Sequence, residues 1–344
     1  MGAFDRAAVV GTTAWGTTLA VLLARNGLHV TLLARTEGEA ADIGSAREHR
    51  RRLPGVEFPP ELTVTADARA LLDANLVCFV VPAQTMDAAA RAVASQIAPR
   101  SVVLSASKGI EIDSGRRMSE VLRDVLPANP IAVLSGPNLS REVAAGLPST
   151  TVIASADAPL EALRDAFHRP TFRVYTSTDV VGVELGGALK NIVAIAAGMV
   201  DAFGYGDNAK AAVMTRGLAE MTRLGVAAGA EPLTFQGLAG VGDLIATSYS
   251  PLSRNRRLGE RLAQGASLED VLRETGETAE GAGTAAAALR LARRLGVEMP
   301  IAEGLRAILY EGVAPADAAT ALLDRDPKSE WLDVPGTPRQ PLLH

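Results

Sequence analysis

Along the first half of the chain, short apolar and β-branched runs alternate with stretches of helical periodicity. Residues 7–10 read as a buried strand, a glycine turn follows, and a helix is expected over about 14–26 with Gly27 as its cap. Further strands are expected at 29–33, 76–81, 101–105, 131–134 and 150–154, with helical segments between most of them. This β-α-β alternation predicts a doubly wound, Rossmann-like parallel sheet with helices on both faces. From about residue 179 the pattern changes. Residues 180–200, 209–225, 257–263, 284–295 and 303–310 carry helical periodicity, and convincing strands disappear. The expected organisation is an α/β domain over 1–178, a mainly α-helical domain over 179–334, and a poorly ordered tail over 335–344.

Composition narrows the function classes. The 344 residues are 48% hydrophobic and 21% charged, enough for two domains that each bury a core. A net charge of -5 argues against a general nucleic-acid binder, which needs a basic surface. No apolar stretch reads as long enough to span a membrane, and the N-terminus lacks the pattern of a signal peptide, so a cytoplasmic protein is expected. The single cysteine, Cys78, lies in an apolar run and reads as a small buried hydrophobe. None of the four histidines stands with a carboxylate or cysteine at metal-ligand spacing, and no Gly-x-Ser-x-Gly elbow occurs, so no metal site is expected.

The first glycine turn carries candidate chemistry. Gly11-Thr12-Thr13-Ala14-Trp15-Gly16 follows a strand and opens a helix, the context in which helix N-terminal amides receive a dinucleotide's pyrophosphate. Thr13 stands where the fingerprint has a glycine for close backbone approach. Its branched side chain is expected to push the turn outward; the alternative is a hydroxyl that bonds phosphate itself. Arg35 ends the second strand where an acid would grip the ribose of NAD, which favours the 2′-phosphate of NADP(H). The loop arginines Arg47, Arg50, Arg51 and Arg52 either flank the adenosine end or are simply solvated.

Positive charge is almost all arginine, with four lysines at Lys108, Lys190, Lys210 and Lys328. Lys190 lies in Gly186-Gly187-Ala188-Leu189-Lys190-Asn191-Ile192, apolar on almost every side. An ammonium there must be paired, and desolvation draws its pKa toward values useful in acid/base catalysis. Lys108, in Ser107-Lys108-Gly109, follows a strand, as does Ser135-Gly136-Pro137-Asn138, and open α/β sheets bind ligands at such strand ends. Gly240-Val241-Gly242-Asp243 surrounds a single acid with glycine, and Ser253-Arg254-Asn255-Arg256 offers forked donors suited to phosphate.

Taken in order, these segments resemble the bacterial NAD(P)-dependent glycerol-3-phosphate dehydrogenase family over about residues 7 to 325. The landmarks are Ala14-Trp15-Gly16-Thr17, Ser107-Lys108-Gly109, Ser135-Gly136-Pro137-Asn138, Gly186-Gly187-Ala188-Leu189-Lys190-Asn191, Thr215-Arg216-Gly217-Leu218-Ala219-Glu220, Gly240-Val241-Gly242-Asp243 and Ser253-Arg254-Asn255-Arg256. The resemblance implies a dinucleotide-binding first domain, a helical substrate domain, and interconversion of dihydroxyacetone phosphate and sn-glycerol 3-phosphate, feeding glycerophospholipid synthesis. It makes Lys190 the proton donor and acceptor, with Lys108, Gly136, Asn138, Asp243, Ser253, Arg254 and Asn255 lining the substrate site. Gly11, Ala14, Trp15, Gly16, Arg35, Arg52, Lys108, Ser140, Arg254, Thr278 and Glu280 would contact NADP or NAD, with NADPH favoured. A homodimer through the helical domain is implied by the same analogy. The chain departs from the family pattern at Thr13, Arg52 and Glu277-Thr278-Ala279, all on the cofactor side. Two alternatives share some of these features: a related lysine-dependent hydroxyacid or sugar-phosphate dehydrogenase, and a non-catalytic nucleotide-binding regulator.

Overall fold

The computed structural model describes residues 3–275 and 280–326, so the expected tail and Thr278 lie outside the described residues. Two compact units result: the first runs to Glu111 and takes in Arg116–Glu184, and the second holds Ile112–Gly115 and the chain from Leu185 on.

In the first unit eight strands form one sheet: β1 (Arg6–Val10), β2 (His29–Leu33), β3 (Leu62–Thr65), β4 (Leu76–Phe79), β5 (Val102–Ser105), β6 (Ile131–Ser135), β7 (Ser149–Ser155) and β8 (Phe172–Ser177). Their spatial order is β3-β2-β1-β4-β5-β6-β7-β8. Six helices connect them: α1 (Ala14–Arg25), α2 (Glu37–Ala46), α3 (Met86–Val93), α4 (Met118–Val125), α5 (Ser140–Ala144) and α6 (Leu160–Phe167).

The period-2 alternation of side chains divides the central strands between two cores. Ala7, Val9, Leu76, Cys78 and Leu104 belong to one cluster, and Ala8, Val10, Val77, Phe79 and Val103 to the other. Cys78 is fully buried, and that burial pushes its thiol up, out of reach of thiolate chemistry. The sheet departs from the expected all-parallel form at one place, where β6 and β7 pair antiparallel. Only the five-residue helix α5 lies in that connection, and the chain returns from the end of the sheet at which it left. β3 and β8, not expected from the sequence, are the two edges of the sheet. In β8 burial alternates over Phe172, Arg173, Val174 and Tyr175, so neither edge strand shows the continuous apolar run of a central one.

The helices that follow are α7 (Val180–Phe203), α8 (Gly206–Ala227), α9 (Asp243–Tyr249), α10 (Arg254–Ala263), α11 (Leu268–Thr275), α12 (Glu280–Leu295), α13 (Pro300–Tyr310) and α14 (Pro315–Leu323). The division between units falls inside α7, after Glu184. That helix corrects one expectation: by length and composition it could span a bilayer, with a mean hydropathy of 1.6. Since 78% of the same window is buried within the protein, its apolarity is that of a core helix. Glycines let its neighbours come close. A Cβ on Gly259 of α10 would stand 1.9 Å from the Ile195 carbonyl oxygen, and one on Gly198 would stand 2.0 Å from that of Arg256.

A carboxylate from α8 caps α13. Glu220, 4% exposed, accepts the Ile301 amide at 2.9 Å, facing Arg223 on its own helix and Glu303 on α13. Burial pushes its carboxyl from the ordinary 4.5 up to about 7, against the opposing pull of the Ile301 and Ala302 amides and Arg223. The folded state therefore holds this proton more tightly than the unfolded chain does. Its contribution is complete below pH 4.5 and is lost as pH rises through about 7, a swing on the order of 3 kcal/mol. Glu220→Gln keeps a carbonyl acceptor and cannot ionise, so the melting temperature of the native protein should fall across that window relative to the variant. Parallel melting curves would refute this account.

Candidate functional site

The sheet order reverses between β1 and β4, whose chain continuations run in opposite directions across the sheet, and open α/β sheets bind ligands at such a point. The glycine turn sits there. Gly11 has φ +112°, and a Cβ on it would stand 2.6 Å from the Val80 carbonyl oxygen. A Cβ on Gly16 would stand 2.1 Å from the Gly11 carbonyl oxygen, so both positions require glycine. Ala14 opens α1, whose first turn holds no acidic residue, leaving its positive end suited to an anion. The indole Nε1 of Trp15 is buried without a hydrogen-bond partner among the described residues, and its ring packs against Phe172. These features fit a dinucleotide.

Thr13 follows neither of the courses expected from the sequence. It has φ -66° and ψ 164°, an ordinary extended conformation, and it is the N-cap of α1. Its hydroxyl accepts the Gly16 amide at 2.9 Å and donates to the Val80 carbonyl at 3.1 Å. The side chain thus turns inward and fastens the helix start to the end of β4. Thr13→Val keeps the branched shape and loses both bonds, at a cost of about 1 kcal/mol. Its melting temperature should drop by about 2–4 °C, with weaker dinucleotide binding in calorimetry. Unchanged values for both would show that the hydroxyl has no structural part.

Arg35 follows β2 and is exposed, and Arg52 is half-buried in the loop after α2. His49, which carried no signal in the sequence, is buried, and its Nε2 donates to the Thr12 carbonyl at 3.0 Å. At the ends of β5 and β6, Lys108 Nζ donates to the Gly136 carbonyl at 2.8 Å. Gly136 has φ +148°, where a Cβ would press on the backbone of Thr151. The Asn138 amide donates to the Thr150 carbonyl at 2.9 Å and accepts the Thr151 hydroxyl at 2.9 Å. That side chain fixes its loop to β7. Ser140 opens α5, and its carbonyl accepts the Thr18 hydroxyl at 3.1 Å.

In the second unit Lys190 is buried on α7, 6% exposed, as its apolar sequence context requires. Its Nζ donates to Asp243 Oδ1 at 2.9 Å and to Thr247 Oγ1 at 2.5 Å. The Thr247 hydroxyl in turn lies 3.2 Å from the same carboxylate oxygen. Thr247 was missed in the sequence, although it stands one helical turn after Asp243 on α9 and so shares its face. A π-helical turn, Leu238–Gly242, delivers Asp243. That turn presses against α7: a Cβ on Gly186 would stand 2.6 Å from the Ala239 carbonyl oxygen. The missing side chain at Gly186 is what lets the turn come close enough for lysine and carboxylate to meet.

Ser253 caps α10, its hydroxyl accepting the Arg256 amide at 3.2 Å. Arg254 and Asn255 occupy the first turn, which has no acid, and Arg254 is exposed. The helix therefore starts three residues earlier than its periodicity suggests, because the cap admits polar residues there. Asn255 donates to Asn191 Oδ1 at 2.8 Å and accepts the Gly281 amide at 3.3 Å, which brings α7, α10 and the start of α12 at Glu280 together. Lys210, unremarked in the sequence, is also buried, 2.7 Å from Asp201 and over the ring of Tyr249. Asp201 also accepts from Arg256 at 2.8 Å, so this is a closed structural ion-pair network.

Comparison with known proteins converges on one family. Residues 6–161 match the family model described as NAD-dependent glycerol-3-phosphate dehydrogenase N-terminus, and residues 179–320 match that of its C-terminus. Glycerol-3-phosphate dehydrogenase [NAD(P)+] of Streptomyces coelicolor is 49% identical over 329 residues, covering 94% of this chain and 98% of that protein. The enzyme of the same description from Anaeromyxobacter dehalogenans is 48% identical over 330 residues, with 94% and 99% covered. The crystal structure of glycerol-3-phosphate dehydrogenase from Coxiella burnetii superposes with a TM-score of 0.90 at 35% identity, covering 93% of this chain and 99% of that one. With both family models matched over most of its length, the chain belongs to the NAD-dependent glycerol-3-phosphate dehydrogenase family.

Proposed function

We propose that the protein interconverts dihydroxyacetone phosphate and sn-glycerol 3-phosphate with NAD(P)H. The observation that carries this reading is the buried Lys190, paired with Asp243 and Thr247 in the same helical unit as the acid-free N-terminus of α10. Gly11, Ala14, Trp15, Gly16 and Arg35 would hold the dinucleotide, which supplies hydride when bound. Arg52, Lys108, Ser140, Glu280 and Thr278 complete that set in this reading.

The remaining work falls to the chain's own groups. As the C2 carbonyl is reduced, negative charge develops on its oxygen, and the Lys190 ammonium stabilises and protonates it. Asp243 and Thr247 aim that ammonium, and the Thr247 hydroxyl can bridge lysine and carboxylate as charge is redistributed. In the oxidative direction the neutral amine takes the alcohol proton. Arg254, Asn255 and the first amides of α10 bind the phosphate, which takes no part in the reaction, and that binding energy orients the substrate. Lys108, Gly136 and Asn138 would hold its polar end.

In the same reading the protein is cytoplasmic, favours NADPH, supplies glycerophospholipid synthesis and is a homodimer. The exposed Ile245, Tyr249 and Leu252 on and after α9 are the apolar surface that favours self-association, and light scattering on the purified protein tests it. The decisive assay follows NAD(P)H absorbance with dihydroxyacetone phosphate. Oxidation dependent on that substrate supports the proposal. Activity confined to hydroxyacids or other sugar phosphates, or dinucleotide binding without turnover, would replace it with one of the two alternatives.

A further inference from the structure

Strands β1 and β2 are parallel neighbours, so the loops that follow them lie side by side at one edge of the sheet. The first loop is the glycine turn, and the second carries Arg35. One carboxylate joins them. Glu39, in the first turn of α2, accepts the Thr12 hydroxyl through Oε1 at 2.6 Å and the Arg35 amide through Oε2 at 3.2 Å. Its own amide is capped by the Thr36 hydroxyl at 3.2 Å. On the other side of the turn, His49 holds the Thr12 carbonyl. With both oxygens engaged, this carboxylate has a fixed position, unlike a solvated surface glutamate. Burial by itself would raise its pKa, but the bonds from Thr12 and the Arg35 amide and the Arg35 charge lower it, so it is ionised at neutral pH.

A fixed negative charge is unexpected beside a site for polyanions, and its location gives it a meaning. NADP and NAD differ only at the adenosine ribose, where one carries a phosphate and the other a hydroxyl. Resting on the dinucleotide-binding reading above, we propose that Glu39 is a specificity-determining residue: its carboxylate offsets Arg35 and moderates the preference for a 2′-phosphate. The fingerprint's usual discriminator is the residue at the end of β2 alone. Here the discrimination is divided between the Arg35 guanidinium and a carboxylate one helical turn further on.

The test compares Glu39→Gln, Glu39→Asp, Glu39→Lys and Thr12→Val with the unaltered protein. Dissociation constants for NADPH and NADH are measured by calorimetry, with melting curves to verify folding. A single charge removed within several ångströms of a phosphate should raise the affinity ratio of NADPH to NADH by roughly three- to tenfold in Glu39→Gln, and further in Glu39→Lys. Glu39→Asp keeps the charge and should keep the ratio. Thr12→Val loses the tie and keeps the charge, so it should weaken both cofactors with the ratio unchanged. The rise in Glu39→Gln should shrink with added salt. A ratio that stays constant across the Glu39 series while both affinities fall would overturn the proposal, leaving Glu39 as a loop fastener. Failure of the unaltered protein to bind either dinucleotide would instead overturn the reading on which the proposal rests.

Discussion

Lys190→Met should lower turnover with dihydroxyacetone phosphate by about 10²-fold or more, while the dissociation constant for the dinucleotide stays near its original value. Lys190 joins a titratable donor and nearly complete burial to a carboxylate and a hydroxyl on one face of α9, whereas the ammonium of Lys210, equally buried, is held with Arg256 in the network on Asp201. The substitution carries a stability cost that must be separated from the chemical one. Asp243 is 2% exposed, and without the lysine its charge stays buried after losing its ammonium partner. Breaking such a pair costs about 3–5 kcal/mol. The double variant Lys190→Met/Asp243→Asn removes the stranded charge and should recover most of the lost melting temperature, yet none of the lost turnover. Recovery of activity together with stability would show that the single variant had merely unfolded. Near-normal turnover in a folded Lys190→Met would remove the lysine from the mechanism.

Arg254→Ala should reduce kcat/KM for dihydroxyacetone phosphate by roughly 10²-fold, the order expected for a pair of charge-assisted hydrogen bonds. Unphosphorylated dihydroxyacetone should be a poor substrate throughout and should lose much less. Arg254 is exposed at the first position of α10, and the cap of that helix is made by the Ser253 hydroxyl and the Arg256 amide. A melting curve of the variant separates a loss of fold from a loss of phosphate binding. Equal losses on both substrates would mean that Arg254 does not read phosphate. Lys108→Ala gives a contrast, because its ammonium is engaged with the Gly136 carbonyl and so shapes a loop besides the ligand-binding role proposed for it.

Residues whose role depends on near neighbours in the chain were legible. The strand runs at 7–10 and 29–33, the glycine turn between a strand and a helix, and the lysine in an apolar helix each carry their own physical signature. The sheet edges were not legible, because a half-buried edge strand such as β8 lacks a continuous apolar run. The antiparallel turn at β7 depends on a connection whose direction no local pattern encodes. Among site residues, Thr247 and His49 were missed for a common reason: a threonine or histidine acquires its meaning only from what packs against it.

Thr13 shows where local reasoning stops. The sequence identifies the position as the fingerprint's middle glycine and leaves two alternatives, a turn pushed outward or a hydroxyl that bonds phosphate. The fold supplies a third, because the Val80 carbonyl at the end of the neighbouring strand gives the hydroxyl an inward partner. The same holds for the catalytic pair proposed here. The sequence by itself determined that Lys190 would be buried, since the apolar residues around it enforce that, and that it would need a counter-charge. Which carboxylate answers it was decided by tertiary structure: the glycine at 186 lets a π-helical turn lie against α7 and bring Asp243 across 53 residues of chain to within 2.9 Å. Burial is an average property that composition can impose on a segment, whereas a contact between distant residues exists only when the backbones between them can pack closely enough to make it.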